Sequence, residues 1–260
     1  MWTAILTGED SVALATSRLR NAMSRTVPRP GEAGVHEGRP YMLWLPESAP
    51  PWPAMVIVHG AGSRKENHGD FGRACAASGW AALGFDQRGH GDSEDGMSPA
   101  ALGDVGKMAR FLAGIDGVDA ARVCVRGSSM GGFMAIQAAA TADQIAGAIA
   151  ICPAGANHLL RGLRSGTLEM RIDPDAARAL EAWLAEHDLR QAVELMDSKP
   201  LLLIHASGDD QIPSDWSQQL YARAREPRKL ILLPGGHHRS AQHDAELHGV
   251  ALRWLERNLG

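Results

Sequence analysis

The chain of 260 residues is poor in cysteine, in net charge and in long apolar runs, and each shortage argues against a class of protein. Its three cysteines, Cys75, Cys124 and Cys152, are an odd number at wide spacings, which argues against a disulfide framework. Cys124 and Cys152 lie in apolar, strand-like segments. We therefore predict that they are reduced thiols of the core.

The small net charge and the lack of a membrane segment narrow the set of partners. A formal net charge of −4 and an isoelectric point near 6.2 give no electrostatic reason to expect nucleic acid or an anionic membrane surface as a partner. The opening "MWTAILTGED" lacks the basic start and apolar stretch of a signal peptide, and no apolar run has the length of a membrane span. We expect a cytoplasmic protein without membrane insertion.

What the chain does contain is a regular alternation of apolar runs and helical stretches from about residue 54. With 45% hydrophobic and 22% charged residues it can bury a full core, as one large domain or one domain with an insertion. The apolar runs are nearly unbroken, as expected for strands that are buried on both faces of a parallel sheet. The pattern predicts an α/β fold with a doubly wound, mostly parallel sheet. The predicted strands are "AMVIVHG", "WAALGFD", "RVCVRG", "IAGAIAIC", "PLLLIHAS" and "KLILLPGG".

Three helix starts are predicted from capping patterns between these strands. The segment "SRKE" (63–66) has the spacing of a capping box, in which the serine and the glutamate each bind the other's amide. Ser98 and Asp173 each precede a proline, which is the pattern of an N-cap followed by proline in the first helical turn.

Two regions interrupt the alternation and define the predicted domain organisation. Residues 1–53 contain the amphipathic stretch "SVALATSRLRNAM" and the possible edge strand "PYMLWLP", so we predict an N-terminal helix and edge-strand extension. Residues 54–260 form the predicted α/β core. Residues 154–199 lie between two predicted strands and are expected to form a small helical cap.

The segment "GSSMG" (127–131) is the strongest functional signal. Ser129 is the central residue of a G-x-S-x-G pattern on the turn between a predicted strand and a predicted helix. A nucleophile elbow requires this context, because a tight turn with small neighbours projects the hydroxyl above the sheet. Ser128 is off-centre and is expected to point elsewhere.

A serine nucleophile needs a base, a group that orients the base and donors for the oxyanion. The acid and then the histidine should come after the serine in the chain, each just past the end of a later strand. The carboxyl ends of parallel strands lie at one edge of the sheet, where ligands bind. The loop "GDDQIP" offers Asp209 and Asp210, and the loop "HHRS" offers His237 and His238. The amide of the residue after the nucleophile, Met130, is one expected oxyanion donor.

Over residues 54–260 the chain resembles the α/β-hydrolase superfamily, and specifically its serine esterase, lysophospholipase and acyl-peptidase-like members. The resemblance rests on several motifs in the family's order, namely "VIVHGAGSRKE", "GFDQRGHGDS", "DAARVCVRGSSMGG", "HASGDDQIP" and "LPGGHHR". It implies Ser129 as nucleophile, Asp209 as the acid, His238 as the base and Ala61 as the second oxyanion donor. Asp210 and His237 are the alternatives.

The resemblance implies hydrolysis of small-molecule carboxylic esters of small to medium acyl chain through an acyl-enzyme intermediate, with no cofactor. The serine at position 129 argues against the dehalogenases and epoxide hydrolases of this fold, which use an aspartate nucleophile. Amide or peptide cleavage by the same triad is one alternative, and a non-catalytic ligand-binding protein is another.

A metal site is not predicted. His237, His238, His243 and Asp244 lie close together in the sequence, but they do not have the spacing of a zinc motif such as H-E-x-x-H or paired Cys/His residues.

Overall fold

The computed structural model describes residues 31–259, so the predicted helix within residues 11–23 lies outside the described part of the chain. The described strands are β1 (Ala33–His36), β2 (Arg39–Trp44), β3 (Trp52–Val58), β4 (Ala81–Phe85), β5 (Val118–Ser128), β6 (Gly147–Ile151), β7 (Leu201–Ala206) and β8 (Arg228–Leu233). They form one sheet in the order β1-β2-β4-β3-β5-β6-β7-β8. The β1/β2 and β2/β4 pairs are antiparallel, and every other pair is parallel.

Helices connect the parallel strands and cover both faces of the sheet. The described α-helices are α1 (Gly69–Ala77), α2 (Ala101–Ala113), α3 (Met130–Thr141), α4 (Ala156–Ser165), α5 (Ala177–Glu186), α6 (Leu189–Leu195), α7 (Asp215–Arg223) and α8 (Ala245–Glu256). Alternate residues of β3 enter two separate cores. Val56 packs in a core with residues of α2 and α3, whereas Ile57 packs in a core with residues of α1 and α8. The predicted doubly wound, mostly parallel sheet is therefore confirmed.

The unbroken apolar runs are explained by this double burial. All five residues of β4 and of β6, and all six residues of β7, are buried, so every position of these strands must be apolar or fully paired. Among the described residues, no helix is both long enough and apolar enough to cross a membrane.

The segment predicted as an edge strand has neighbours on both sides. It corresponds to β2, which pairs with β4 on one side and with β1 on the other. The edge is formed instead by the four-residue strand β1. The prediction was wrong because "AGVH" is too short and too polar to be recognised as a strand without its hairpin partner.

The three predicted helix starts were also wrong, two of them because the capping side chain or its neighbours have other partners. Residues 65–68 form a 3-10 turn and α1 begins at Gly69, while Glu66 pairs with Arg64 and Lys65. Helix α2 begins at Ala101, two residues after the predicted first position. The Asp173 carboxylate accepts a hydrogen bond from the Asp175 amide, a local turn that delays α5 to Ala177.

The insertion 154–199 contains α4, α5 and α6. Helices α4 and α5 pack against each other, whereas α6 packs against α3 and α7 of the main body. The division of the chain into an extension, a core and a cap stays a prediction. In the structure, the α4–α5 segment contacts the loop after β3, where the Gly62 amide donates to the Glu169 carbonyl.

Candidate active site

Ser129 lies at the tight turn between β5 and α3. Its backbone has φ 54° and ψ −119°, a conformation that non-glycine residues rarely adopt and that costs free energy. The flanking glycines are required by close backbone packing. A Cβ at Gly131 would lie 2.1 Å from the Val58 carbonyl oxygen, and a Cβ at Gly127 would lie 2.0 Å from the Gly131 carbonyl oxygen. The local geometry is that of a strained elbow with a serine at its tip.

Ser129 borders a cavity of about 680 Å³, which we call the elbow cavity. Ser129 is half-buried there, whereas the neighbouring Ser128 also borders the cavity but is almost fully buried as the last residue of β5. His238 lines the same cavity. No hydrogen bond joins the Ser129 hydroxyl to the His238 ring in this structure, which is common before a substrate is bound.

His238 and Asp209 form a buried hydrogen-bonded pair. His238 Nδ1 donates to Asp209 Oδ2 over 2.7 Å, between loops that follow β8 and β7. The second carboxylate oxygen accepts the amides of Gln211 and Ile212, at 2.9 and 3.0 Å. Burial alone would raise the pKa of Asp209, but hydrogen bonds from His205, His238 and the backbone outweigh it and hold that pKa far below the ordinary range. Asp209 is therefore ionised near neutral pH.

The neighbouring candidates occupy different positions. Asp210 is exposed and pairs with no side chain of the described residues. His237 is also exposed, and its Nδ1 accepts the Arg239 amide at 3.2 Å. The geometry thus brings Asp209 and His238 together and leaves Asp210 and His237 at the surface.

His205 is a neighbour of the acid that the motif reading did not assign a role. It is fully buried, with Nε2 at 3.2 Å from Asp209 Oδ2 and 2.9 Å from the Ile212 carbonyl oxygen. Because both of these atoms are acceptors, the ring proton lies on Nε2, and Nδ1 accepts from the Ser217 hydroxyl at 2.7 Å. Its position four residues before Asp209 was the only signal for it in the sequence.

Cys152, His205 and Asp209 place three potential metal-ligand atoms within 4.8 Å of one another. The two Asp209 oxygens are already occupied by histidine and amide donors. Burial raises the pKa of the Cys152 thiol to about 12, so without a metal ion this thiol is protonated near neutral pH. This arrangement fits a carboxylate that is held by its neighbours better than it fits a metal centre.

Two backbone amides next to the elbow have no hydrogen-bond partner among the described residues. Met130 is the first residue of α3, and Ala61 lies in the loop after β3; neither amide donates a hydrogen bond to any described group. Gly60 brings that loop against the elbow, since a Cβ there would lie 3.1 Å from the Ser128 carbonyl oxygen. The Gly62 amide donates to the Glu169 carbonyl over 3.0 Å, which ties the loop to the α4–α5 segment.

Arg126 links two loops of the site to β5. It lies on β5, is fully buried, and donates to the Gln242 carbonyl over 2.7 Å, in the loop that carries His238. Its other terminal nitrogen donates to His68 Nδ1 over 3.0 Å, and His68 Nε2 lies 3.3 Å from the Ser63 hydroxyl in the loop after β3. Burial and the charge of Arg126 lower the pKa of His68 to about 2, which keeps this ring neutral as an acceptor.

Replacing Arg126 by methionine is expected to lower kcat at least tenfold for all substrates with little change in KM, because two loops of the site lose a shared anchor. Burial lowers the pKa of Arg126 to about 10, although the charge of Asp70 opposes the shift, so the residue is a cation near neutral pH. Arg122→Met on the same strand, which removes only a surface pair with Asp119, is the matched control. Thermal unfolding of both variants separates misplaced loops from unfolded protein, and an unchanged kcat would contradict the expectation.

The fold and the site together define the class of the protein, an α/β hydrolase. The sequence model of the family described as serine aminopeptidase, S33, matches residues 49–194, more than half of the chain, and the chain belongs to that family. The "Uncharacterized protein Rv2307c" of Mycobacterium tuberculosis is 26% identical over 189 residues, which cover 72% of this chain and 63% of that protein. The chain therefore spans less than two thirds of the length of this relative.

Two solved structures show the same fold. Est1E from Butyrivibrio proteoclasticus with bound ferulic acid superposes with a TM-score of 0.71 at 22% identity, covering 88% of this chain and 99% of that chain. The esterase domain of a Rhodothermus marinus protein superposes with a TM-score of 0.66 at 22% identity, covering 85% of this chain and 93% of that chain. At these identities the likeness concerns the fold.

Proposed function

We propose that the protein is a serine hydrolase that cleaves small-molecule carboxylic esters through an acyl-enzyme intermediate. The observation that carries the proposal is the ionised, buried Asp209 hydrogen-bonded to His238 at 2.7 Å, beside a cavity whose edge holds Ser129 on a strained turn. The esterases among the similar structures support an ester as substrate. The proposal needs no cofactor, metal or nucleic-acid partner, and cytoplasmic residence remains an expectation from the sequence.

In the proposed mechanism, His238 Nε2 takes the hydroxyl proton of Ser129 as the oxygen attacks the ester carbonyl. The amides of Ala61 and Met130 donate to the resulting oxyanion. The carbon–oxygen bond to the alcohol then breaks, and His238 returns the proton to the leaving alcohol. Asp209 holds the imidazolium in orientation throughout. Water repeats the same steps on the acyl-enzyme and releases the carboxylic acid.

The test of the proposal is covalent labelling with a fluorophosphonate, which reacts with activated serines and leaves ordinary serines unmodified. We expect one label per chain, on the peptide that contains Ser129, and none on Ser129→Ala. Ser128→Ala should still be labelled. An unlabelled wild-type protein that is folded by circular dichroism would favour the non-catalytic binding protein as the function.

Cleavage of amides by the same residues is the second candidate, and the family description favours it. An amine is a poorer leaving group than an alcohol and requires protonation before it departs. Comparing kcat/KM for a nitrophenyl ester with that for the nitroanilide of the same acyl group distinguishes the two activities.

Acyl-chain length is expected to affect kcat/KM through a second, apolar cavity under α5, which we call the cap cavity. Leu168 lines both this cavity and the elbow cavity, and Met130, the residue after Ser129, lines the cap cavity. The rest of the cap cavity's lining includes Met97, Met134, Leu180 and Trp183. Its volume is only about 20 Å³, so it can hold a longer acyl chain only if its methionine side chains move. Each buried methylene contributes at most about 0.8 kcal/mol, and the gain stops when the space is filled.

We therefore expect kcat/KM to rise from acetyl to butyryl nitrophenyl esters, to level off by octanoyl and to fall at palmitoyl. Leu180→Ala should move the optimum to a longer acyl chain, because it enlarges the cap cavity. A steady increase to palmitoyl, with activation at a lipid interface, would contradict the expected size limit.

A further inference from the structure

The elbow cavity has a second histidine with its own carboxylate. His243 lines the cavity, and its Nδ1 lies 2.9 Å from Asp70 Oδ2 on α1. Asp70 Oδ1 is buried and has no partner among the described residues. Burial would raise the pKa of Asp70, but the hydrogen bonds with His243 and the Phe71 amide lower it below its usual range. The pair therefore consists of an ionised carboxylate and an imidazole ring that it orients.

Nε2 of His243 makes no hydrogen bond to any described residue, and it is the nitrogen left for a ligand. An anion at this nitrogen would complete a carboxylate, imidazolium and anion arrangement, in which both ring N–H groups donate to negative charge. The neighbouring His68 ring is stacked on His243 at 5.8 Å between ring centroids and is neutral, so it adds no competing positive charge.

Arg239 provides a cation in the lining of the same cavity. It is exposed, lines the elbow cavity, and its guanidinium makes no hydrogen bond or ion pair with the described residues. Arg239 and His243 follow His238 by one and five positions in the same loop. We call these two residues the basic wall.

Among the described residues, the carboxylate that lines the elbow cavity is that of Glu169, in the segment between α4 and α5. A Cβ at Gly62 would lie 2.5 Å from Glu169 Oε2, and Glu169 also lines an adjoining cavity of about 430 Å³ together with Arg64 and Arg171. The basic wall does not border that adjoining cavity. Glu169 thus lies against the loop after β3, whereas the basic wall belongs to the loop that carries His238.

The proposed mechanism assigns the two halves of the ester to different sides. The acyl half lies near Met130 and the apolar cap cavity, and the alcohol half leaves beside His238, which protonates it. We propose that the basic wall binds a negatively charged group, a carboxylate or a phosphate, on the alcohol half of the substrate. This inference rests on the proposed function and names the class of ester that the site selects.

The test uses three butyryl esters of phenols that differ in the charge at the meta position: 3-butyryloxybenzoate, 3-butyryloxybenzamide and 3-butyryloxy-N,N,N-trimethylanilinium. We expect Arg239→Gln and His243→Gln each to lower kcat/KM for the benzoate ester about tenfold, chiefly through KM, because each removes a charge-assisted hydrogen bond. The benzamide ester should change less than about twofold. Arg257→Gln, at an exposed position after α8, is the control for loss of one positive charge.

Each alternative gives a different result. Equal losses for all three esters would mean general damage to the His238 loop and would overturn the proposal. A wild-type preference for the trimethylanilinium ester that Glu169→Gln removes would show that Glu169 selects cations. Unchanged benzoate kinetics in both variants, with hydrolysis intact, would reject the basic wall while the proposed function stands. Repeating the measurement with a butyryl phenol ester that carries a phosphate in place of the meta carboxylate distinguishes the two anionic groups.

If the wild-type protein hydrolyses none of the esters, the proposed function fails and the basic wall is still testable. Titration calorimetry with free 3-hydroxybenzoate and 3-hydroxybenzamide then measures binding without catalysis. Tighter binding of the benzoate, lost in Arg239→Gln and His243→Gln, supports the site. Equal binding of both compounds rejects it.

Discussion

Replacing Ser129 by alanine is expected to lower ester hydrolysis by roughly six orders of magnitude, to the level that oxyanion donors and binding alone provide. Ser129 at the tip of the elbow is half-exposed and borders the elbow cavity, which His238 also lines. Alanine has no nucleophilic atom, and the turn tolerates a Cβ at this position because serine already carries one. The measurement is kcat and kcat/KM on nitrophenyl butyrate, with active protein counted by fluorophosphonate titration of the wild type.

Ser128→Ala is the matched control for this variant. Ser128 is the last residue of β5, is 4% exposed, and has no assigned role in proton transfer. We expect it to retain most of the activity. A comparable loss from both substitutions would show that the nucleophile has been assigned to the wrong residue or that the elbow itself is disturbed.

Asp209→Asn is expected to lower kcat by about four orders of magnitude, and His238→Ala by about six. The asparagine keeps the shape of the side chain but removes the charge that orients His238, and its amide nitrogen can favour the wrong tautomer of the ring. Because these residues act as one unit, the double variant should be hardly worse than His238→Ala alone. Steady-state kinetics of the three variants on one ester measures this.

Asp210→Asn and His237→Ala are the controls for that prediction. Both side chains are exposed, and neither is hydrogen-bonded to the buried pair. We expect each to keep kcat within about tenfold of the wild type, since surface substitutions rarely perturb a buried site. If the larger losses fall on Asp210 or His237, the acid and base are misassigned by one residue, although the type of mechanism would survive.

Local sequence patterns were sufficient for the parallel strands and for the position of the elbow. Strands β4, β6 and β7 are buried at every position, so an unbroken apolar run is enough to identify them. The elbow is also a local feature, because Gly127 and Gly131 are demanded by backbone atoms that are close in the chain or in the adjacent β3 strand. The same short-range logic failed at the helix starts, where Asp173 closes a turn of its own and Glu66 pairs with basic neighbours instead of capping.

The sequence motifs reduced the acid and the base to two neighbouring candidates in each loop. Only the tertiary structure places the Asp209 carboxylate out of solvent against His238, 29 residues further along the chain, while Asp210 and His237 stay at the surface. Kinetics of the variants will decide the roles, but the geometry already shows which side chains can meet.

The contacts around the elbow cavity are the features that the sequence predicts least. Arg126 binds the Gln242 carbonyl across 116 positions, and Asp70 binds His243 across 173. No periodicity or motif in the sequence predicts either pairing, because each depends on how the loop after β8 packs against α1 and β5. Sequence by itself determined the parallel strands and the tight turn that carries Ser129, since burial and turn sterics act over a few residues. The polar connections around that serine were decided by tertiary packing, since a buried charge is retained only where distant chain segments supply its hydrogen-bond partners.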